Sequence, residues 1–122
     1  MQEIDDPRQY GIIEAKEIEK RIYRVKAAVE KPEKPPTNLA IMPIYIFHPV
    51  VFKALEKTTP DKGEEVQLTD AIQKLIEWDL NVYAVQLSPD EVRLDIGSPE
   101  TYWEALNLSY QHFHSHVEET SK

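Results

Sequence analysis

Apolar residues gather in short runs, separated by charged or proline-bearing stretches. Residues 10–15 (YGIIEA) are apolar with β-branched side chains and predict a buried strand. Residues 16–20 are charged and read as a turn. Residues 22–29 (IYRVKAAV) predict a second strand, with Tyr23, Val25, Ala27 and Val29 on one face because strand side chains alternate with period two. The two runs predict a hairpin. Residues 1–9 carry no period and include Pro7, so they read as an arm or an entering strand.

The next stretch, 30–37 (EKPEKPPT), carries three prolines and four charges, which excludes helix and inner strand. It is either a stiff linker between domains or a rigid loop at the edge of a site, and a chain this short favours the loop. Residues 38–47 (NLAIMPIYIF) are apolar on both faces and predict a central strand covered above and below. Pro43 conflicts with that strand, since it removes a ladder donor, and implies a bulge or unpaired stretch.

Downstream, His48 and Pro49 predict the start of a short helix, 49–56. Residues 58–65 form a loop. Thr69 is expected to cap a helix over 70–78, with Leu68, Ile72, Leu75 and Ile76 on its buried face. Residues 81–87 and 92–96 predict two more strands. Ser98 caps a last helix that has Pro99 first, Glu100 in its opening turn, and an inner stripe of Tyr102, Leu106, Tyr110 and Phe113. Residues 117–122 have no pattern, and 114–122 are expected to fray. The order predicts an α/β fold, a mixed β-sheet with flanking helices, as one domain over 10–113 behind an arm at 1–9.

Composition narrows the function. The chain has 122 residues, the size of one domain. Its 14 Lys and Arg against 22 Asp and Glu give a net charge of −8, which argues against nucleic acid as a partner. It has no cysteine, hence no disulfide, thiolate metal site or cysteine nucleophile. No apolar run reaches the roughly 18 residues of a spanning helix, so no membrane partner is expected. The polar start does not read as a signal peptide, and with the lack of cysteine this suggests the cytoplasm. Three scattered glycines, Gly11, Gly63 and Gly97, leave no glycine-rich loop to cradle a triphosphate within this chain.

Four features carry candidate chemistry. Glu30-Lys31-Pro32 sets a carboxylate that can accept from hydroxyls beside an ammonium that can neutralise phosphate; a solvated charged loop is the plainer alternative. Asp95 stands on the polar face of a strand that ends at a helix start, a natural place for one carboxylate ligand of Mg²⁺, or for a turn-capping or ion-paired residue. Residues 64–70 (EEVQLTD) combine a capping threonine with acids that the helix dipole favours, and structure alone explains most of that. His112 and His116 fall four apart on a helix, with His114 between them; a metal pair is conceivable, but no third ligand has suitable spacing.

In order, Tyr10-Gly11-Ile12-Ile13, Val29-Glu30-Lys31-Pro32, Asn38-Leu39-Ala40-Ile41, Gln67-Leu68-Thr69-Asp70-Ala71-Ile72 and Leu94-Asp95-Ile96-Gly97-Ser98-Pro99 resemble the sugar-1-phosphate nucleotidyltransferases. The likeness is to their C-terminal half, in the UTP–glucose-1-phosphate uridylyltransferase branch with the thymidylyltransferases close behind. It runs from about Tyr10 to about Tyr110. The resemblance implies that the Gly11 backbone borders the sugar, Glu30 binds its hydroxyls, Lys31 holds its phosphate, Tyr45 lines the pocket, and Asp95 shares a Mg²⁺ with the other half. The ligands implied are glucose-1-phosphate or UDP-glucose. A sugar-phosphate oxygen attacks the α-phosphorus of a nucleoside triphosphate and pyrophosphate leaves, with catalysis by positioning and charge neutralisation.

Two departures follow. Pro43 stands where that family has Gly. The half that carries the triphosphate loop and base-reading residues does not match anything here, so the chain alone is expected to be inactive: a truncated form, or one subunit beside a separate N-terminal half. Exposed sheet edge and apolar surface would then drive homo-oligomers. The alternative functions are a non-catalytic module that binds a sugar phosphate or nucleotide sugar, and an inactive remnant.

Overall fold

In the computed structural model, which describes residues 1–60, 65–94 and 96–120 (for 113–120 the backbone alone), the charged stretch after residue 15 does not turn but lengthens the first long strand. That strand, β2 (Gly11–Glu19), pairs antiparallel with β3 (Ile22–Glu30). The turn is Lys20-Arg21, and Arg21 takes φ 66°, the left-handed backbone that two-residue hairpin loops demand. The far end of the hairpin is tied down by Arg21 Nε donating to the Gln86 carbonyl at 2.9 Å and by the Tyr23 hydroxyl donating to Gln86 Oε1 at 2.8 Å.

The register of β2 on β3 breaks between Glu14 and Ala15, which pair with Ala27 and Val25. Lys26 is thus the extra residue of a β-bulge, and one extra residue moves every later side chain to the other face. Beyond it, Ala28 and Glu30 take the face of Val25. Val25 and Ala28 are buried, while Val29 is exposed. The simple alternation of Tyr23, Val25, Ala27 and Val29 is therefore corrected at Lys26.

Three short strands complete the sheet: β1 (Gln2–Glu3), β4 (Leu39–Ala40) and β5 (Tyr83–Val85), in the order β1-β4-β2-β3-β5. The expected sheet was mixed; every pairing among the described residues is antiparallel. The N-terminal residues enter as an edge strand rather than a free arm.

The expected central strand over 38–47 is cut to Leu39–Ala40. Pro43 is the cause. The Ile44 N–H donates to the Met42 carbonyl at 2.8 Å, closing a three-residue turn around Pro43, whose fixed φ suits it. Thr37 fastens the start of β4: its hydroxyl donates to the Ile13 carbonyl at 2.7 Å and accepts from the Leu39 N–H at 3.2 Å. The proline-bearing stretch before it is a loop inside one unit, not a linker between units.

One face of the sheet is covered by α2 (Leu68–Glu77), which brings Ile72 against Ile13, Val25 and Ala28. Helix α1 (Val50–Glu56) packs Val51 and Ala54 against Ala71 and Leu75 of α2. The other face has a smaller cluster of Ile12, Ala40 and Met42. Adjacent Ile12 and Ile13 are both buried, so β2 is covered above and below. Helix α1 begins at Val50, one residue later than expected, with Pro49 rather than His48 as its N-cap and no side-chain cap; His48 Nδ1 accepts the Val50 N–H at 3.3 Å from outside it. Helix α2 ends at Trp78, after which Asp79 adopts φ 59° and Leu80 N–H reaches the Leu75 carbonyl at 3.1 Å, a left-handed stop usually built with glycine.

The chain divides into two compact units, Met1–Ser88 and Pro89–Lys122, where a single domain over 10–113 was expected. The second unit carries α3 (Pro99–Thr120), which continues into residues expected to fray. Ser98 caps α3 as predicted: Ser98 Oγ accepts the Thr101 N–H at 3.2 Å, and Thr101 Oγ1 accepts the Ser98 N–H at 3.0 Å, a reciprocal box with Thr in the place of the usual Glu. The Glu100 carboxyl is held below its ordinary value by its own backbone N–H and then by the Ser98 hydroxyl. Residues 92–94 and 96 take no strand. The expected inner stripe of α3 is also corrected: Tyr102, Leu106 and Tyr110 are exposed, and Ala105 is the buried residue of this helix among those described. No described helix is long and apolar enough to cross a membrane.

Candidate functional site

Gly11 opens β2 and stands directly across from Glu30, the last residue of β3. The strand ends are locked by backbone: the Lys31 N–H donates to the Tyr10 carbonyl at 3.1 Å and the Ile41 N–H to the Gly11 carbonyl at 2.8 Å. Because of the bulge at Lys26, Glu30 lies on the face that α2 covers. There its Oε2 accepts the Thr69 hydroxyl at 2.6 Å. The short distance is that of a charge-assisted bond.

Gly11 is required by space. A Cβ at this position would lie 2.7 Å from Thr69 Oγ1, 2.9 Å from Glu30 Oε2 and 3.2 Å from Ile41 Cδ1. No two of these oxygens and a methyl fit together there, so a glycine is what lets the hydroxyl and carboxylate meet over the strand.

Lys31 follows with φ 39°. A left-handed lysine costs roughly 1–2 kcal/mol, and strained backbone of this kind gathers at working sites. The bond to Tyr10 on one side and Pro32 on the other hold it. Its side chain is exposed, where an ammonium keeps its full hydration until an anion arrives.

Tyr45 follows the turn at Pro43 and stacks on Phe47, ring centroids 5.3 Å apart. Burial raises its phenol above the ordinary value, and the Glu30 carboxylate raises it further. Tyr45 thus shares the electrostatic neighbourhood of Glu30. The structure brings Gly11 and Glu30 together, with Lys31 adjoining Glu30 through the chain, while Tyr45 lies within range of the Glu30 charge.

Thr69 is the residue that sequence reasoning placed elsewhere. It does not cap α2: the helix begins at Leu68, two residues before the expected start, Gln67 is its N-cap, and no side chain caps it. From inside the first turn its hydroxyl donates to Glu30 Oε2 instead, a charge-assisted bond. The signal was present in the run Gln67–Ile72, which follows Glu30-Lys31 in the ordered series that carries the resemblance.

Asp95, the expected Mg²⁺ ligand, lies outside the described residues, as do the side chains of His114 and His116. Among the described residues no three His, Cys, Asp or Glu side chains gather to hold a metal. What the described arrangement can do is bind: an acceptor for hydroxyls, a neighbouring cation for an anion, and a bare backbone at Gly11 that a ring can approach closely.

Comparison with known proteins assigns a family. Residues 1–112 match the family described as nucleotidyl transferase. A UTP–glucose-1-phosphate uridylyltransferase of Pseudomonas aeruginosa is 41% identical over 111 residues, 89% of this chain and 39% of the relative. A low-salt glycan biosynthesis nucleotidyltransferase of Haloferax volcanii is 38% identical over 88% of this chain and 29% of its own. Among solved structures, a UDP-glucose pyrophosphorylase complexed with UDP-glucose superposes with a TM-score of 0.82 at 36% identity, over 91% of this chain and 42% of the other. A UTP-bound enzyme of this kind from Acinetobacter baumannii gives 0.68 at 28% identity. The chain spans about two fifths of the length of the Pseudomonas relative and of these structures. On the family match and these likenesses, the chain belongs to the nucleotidyl transferase family.

Proposed function

We propose that this chain supplies the sugar-phosphate side of a nucleotidyltransferase site, corresponding to the C-terminal half of such enzymes and taking glucose-1-phosphate or the glucose end of UDP-glucose. Glu30 accepts hydrogen bonds from sugar hydroxyls, Lys31 neutralises the phosphate, Gly11 lets the ring approach the strand, and Tyr45 closes one side. The observation that carries this reading is the junction of Gly11, Glu30 and Thr69. Thr69 takes Oε2 of Glu30, and among the described residues no donor takes Oε1, which leaves that oxygen available to a hydroxyl.

The reaction this site serves is attack of a sugar-phosphate oxygen on the α-phosphorus of UTP or dTTP, with loss of pyrophosphate. The protein groups here bind and orient the nucleophile and offset its charge. With only three scattered glycines, the chain lacks a loop for the triphosphate, so turnover needs the remainder of the fold that the longer relatives carry. Asp95, four residues before Pro99 in the sequence, is the proposed ligand for a Mg²⁺ shared with that remainder, where the ion would neutralise phosphate charge.

Calorimetric titration with glucose-1-phosphate in Mg²⁺ tests the reading. Saturable binding that Glu30→Ala and Lys31→Ala each remove is expected. Absence of heat from the unaltered chain, or binding indifferent to both substitutions, overturns it.

A further inference from the structure

We infer that Thr69 is a positioning residue, which fixes the Glu30 carboxylate in the orientation that meets the sugar through one hydroxyl hydrogen bond. The inference rests on the proposed sugar-binding role of Glu30 and adds a residue to it. A glutamate has three rotatable side-chain bonds, and at the end of a strand it samples many arrangements. Freezing it costs side-chain entropy on the order of 1–2 kcal/mol, which must be met either when a ligand binds or beforehand. The Thr69 hydroxyl, 2.6 Å from Oε2, meets it beforehand. A group held ready in this way binds more tightly than one that must be ordered by its ligand.

Three features make the hydroxyl a purposeful donor. Thr69 is buried, 6% exposed, so its hydroxyl has little water to turn to and would be costly to leave unpaired. It is not needed by the helix, whose first turn carries no side-chain cap. And the hydroxyl stands where the side chain of residue 11 would otherwise be, so Gly11 and Thr69 form one device: the first leaves the gap and the second fills it with a donor.

The placement of Thr69 is itself held independently. Gln73, one helical turn further along α2, accepts the Ala28 N–H through Oε1 at 2.9 Å. Ala28 and Glu30 stand two apart on β3, and Thr69 and Gln73 four apart on α2. Two side-chain bonds therefore pin the helix to the strand, and the helix carries the Thr69 hydroxyl to the carboxylate at a set height. A carboxylate with Oε2 engaged from behind presents Oε1 in one direction.

Shape and hydrogen bonding separate cleanly at this position. Thr69→Val keeps the shape and removes the donor; Thr69→Ser keeps the donor and removes the methyl. Titrated with glucose-1-phosphate, Thr69→Val is expected to weaken the Kd about ten- to a hundredfold, the usual worth of a bond to a charged group, and Thr69→Ser to stay within about threefold. Without any ligand, three-bond couplings measured by NMR are expected to show one χ1 rotamer for Glu30 in the unaltered chain and in Thr69→Ser, and averaging in Thr69→Val. If Thr69→Val does not fold, Thr69→Ala takes its place in both measurements. Should Thr69→Val bind as the unaltered chain does while Glu30→Ala does not, the positioning role is overturned and the sugar-binding reading stands. Loss in Thr69→Ser equal to that in Thr69→Val assigns the effect to packing and also overturns it. Should the unaltered chain bind no glucose-1-phosphate, the sugar-binding reading fails, and the Glu30 couplings alone decide the hydrogen bond's role: averaging in Thr69→Val supports it, a single rotamer there overturns it.

Discussion

Thr69 Oγ1 lies 2.7 Å from the point where a Cβ on Gly11 would stand. Two residues 58 positions apart in sequence thus compete for one small volume. Gly11→Ala is expected to push the hydroxyl off Glu30 and to cost about 1–3 kcal/mol, as overpacking does. Urea denaturation measures it. Combining Gly11→Ala with Thr69→Ala should cost less than the sum of the two, because the second change empties the space that the first one fills. Additive losses would separate the two residues.

Gln73 does for β3 what a neighbouring strand would. Beyond the reach of β5, which ends its pairing at Ile22–Arg24, the Ala28 N–H finds the Gln73 side chain instead of a strand carbonyl. Gln73→Leu leaves that buried donor without a partner, at an expected cost of about 1–3 kcal/mol. Faster hydrogen exchange at the Ala28 amide, together with a lower denaturation midpoint, is the expected result. An Ala28 amide that stays protected would show that something other than Gln73 holds it.

Tyr45 supplies a pH test of the site's electrostatics. Its phenol is raised by burial first and by the Glu30 carboxylate second. A raised acid binds its proton more tightly when folded. Its contribution to stability is therefore complete below the unfolded tyrosine value, near 10, and is lost as pH rises through the higher folded value. Ultraviolet difference titration should find Tyr45 and Tyr23 ionising above the ordinary range, and Glu30→Gln should lower the Tyr45 value without restoring it fully. A Tyr45 indifferent to Glu30→Gln would place the two groups apart.

Ile44 and Ile46 are 84% and 100% exposed on the extended chain after Pro43, and Phe52 is exposed at 66%. Apolar side chains beside extended backbone favour association with other chains. Light scattering is expected to give a mass above that of the monomer at high concentration, and Ile44→Ser with Ile46→Ser to return it toward the monomer. A monomer at every concentration contradicts this.

The hairpin, the helices α1 and α2 and the cap at Ser98 were legible because each depends on local pattern or on capping chemistry. Glu30 and Lys31 were legible as a carboxylate beside an ammonium, and Gly11 as part of a resemblance of ordered motifs; their geometry was not. What was not legible had non-local causes. Lys16–Glu19 carry charges typical of a turn, yet they extend a strand because Ile22–Arg24 pair with them, and such pairing overrides propensity. The bulge at Lys26 has no signature in a sequence of alternating apolar residues, yet it decides which way Glu30 points. Thr69 preceding Asp70 resembles any helix cap; only the approach of β3 shows that its hydroxyl donates to a carboxylate. Pro43 was readable as a break, and the turn it forms accounts for the lost strand.

The most direct test of the central claim is a two-dimensional ¹H–¹⁵N NMR titration with glucose-1-phosphate. The expected result is shifts gathered on the amides of Gly11, Glu30, Lys31, Tyr45 and Thr69, saturating together. Saturating shifts centred elsewhere, or no shifts at millimolar ligand, would contradict it.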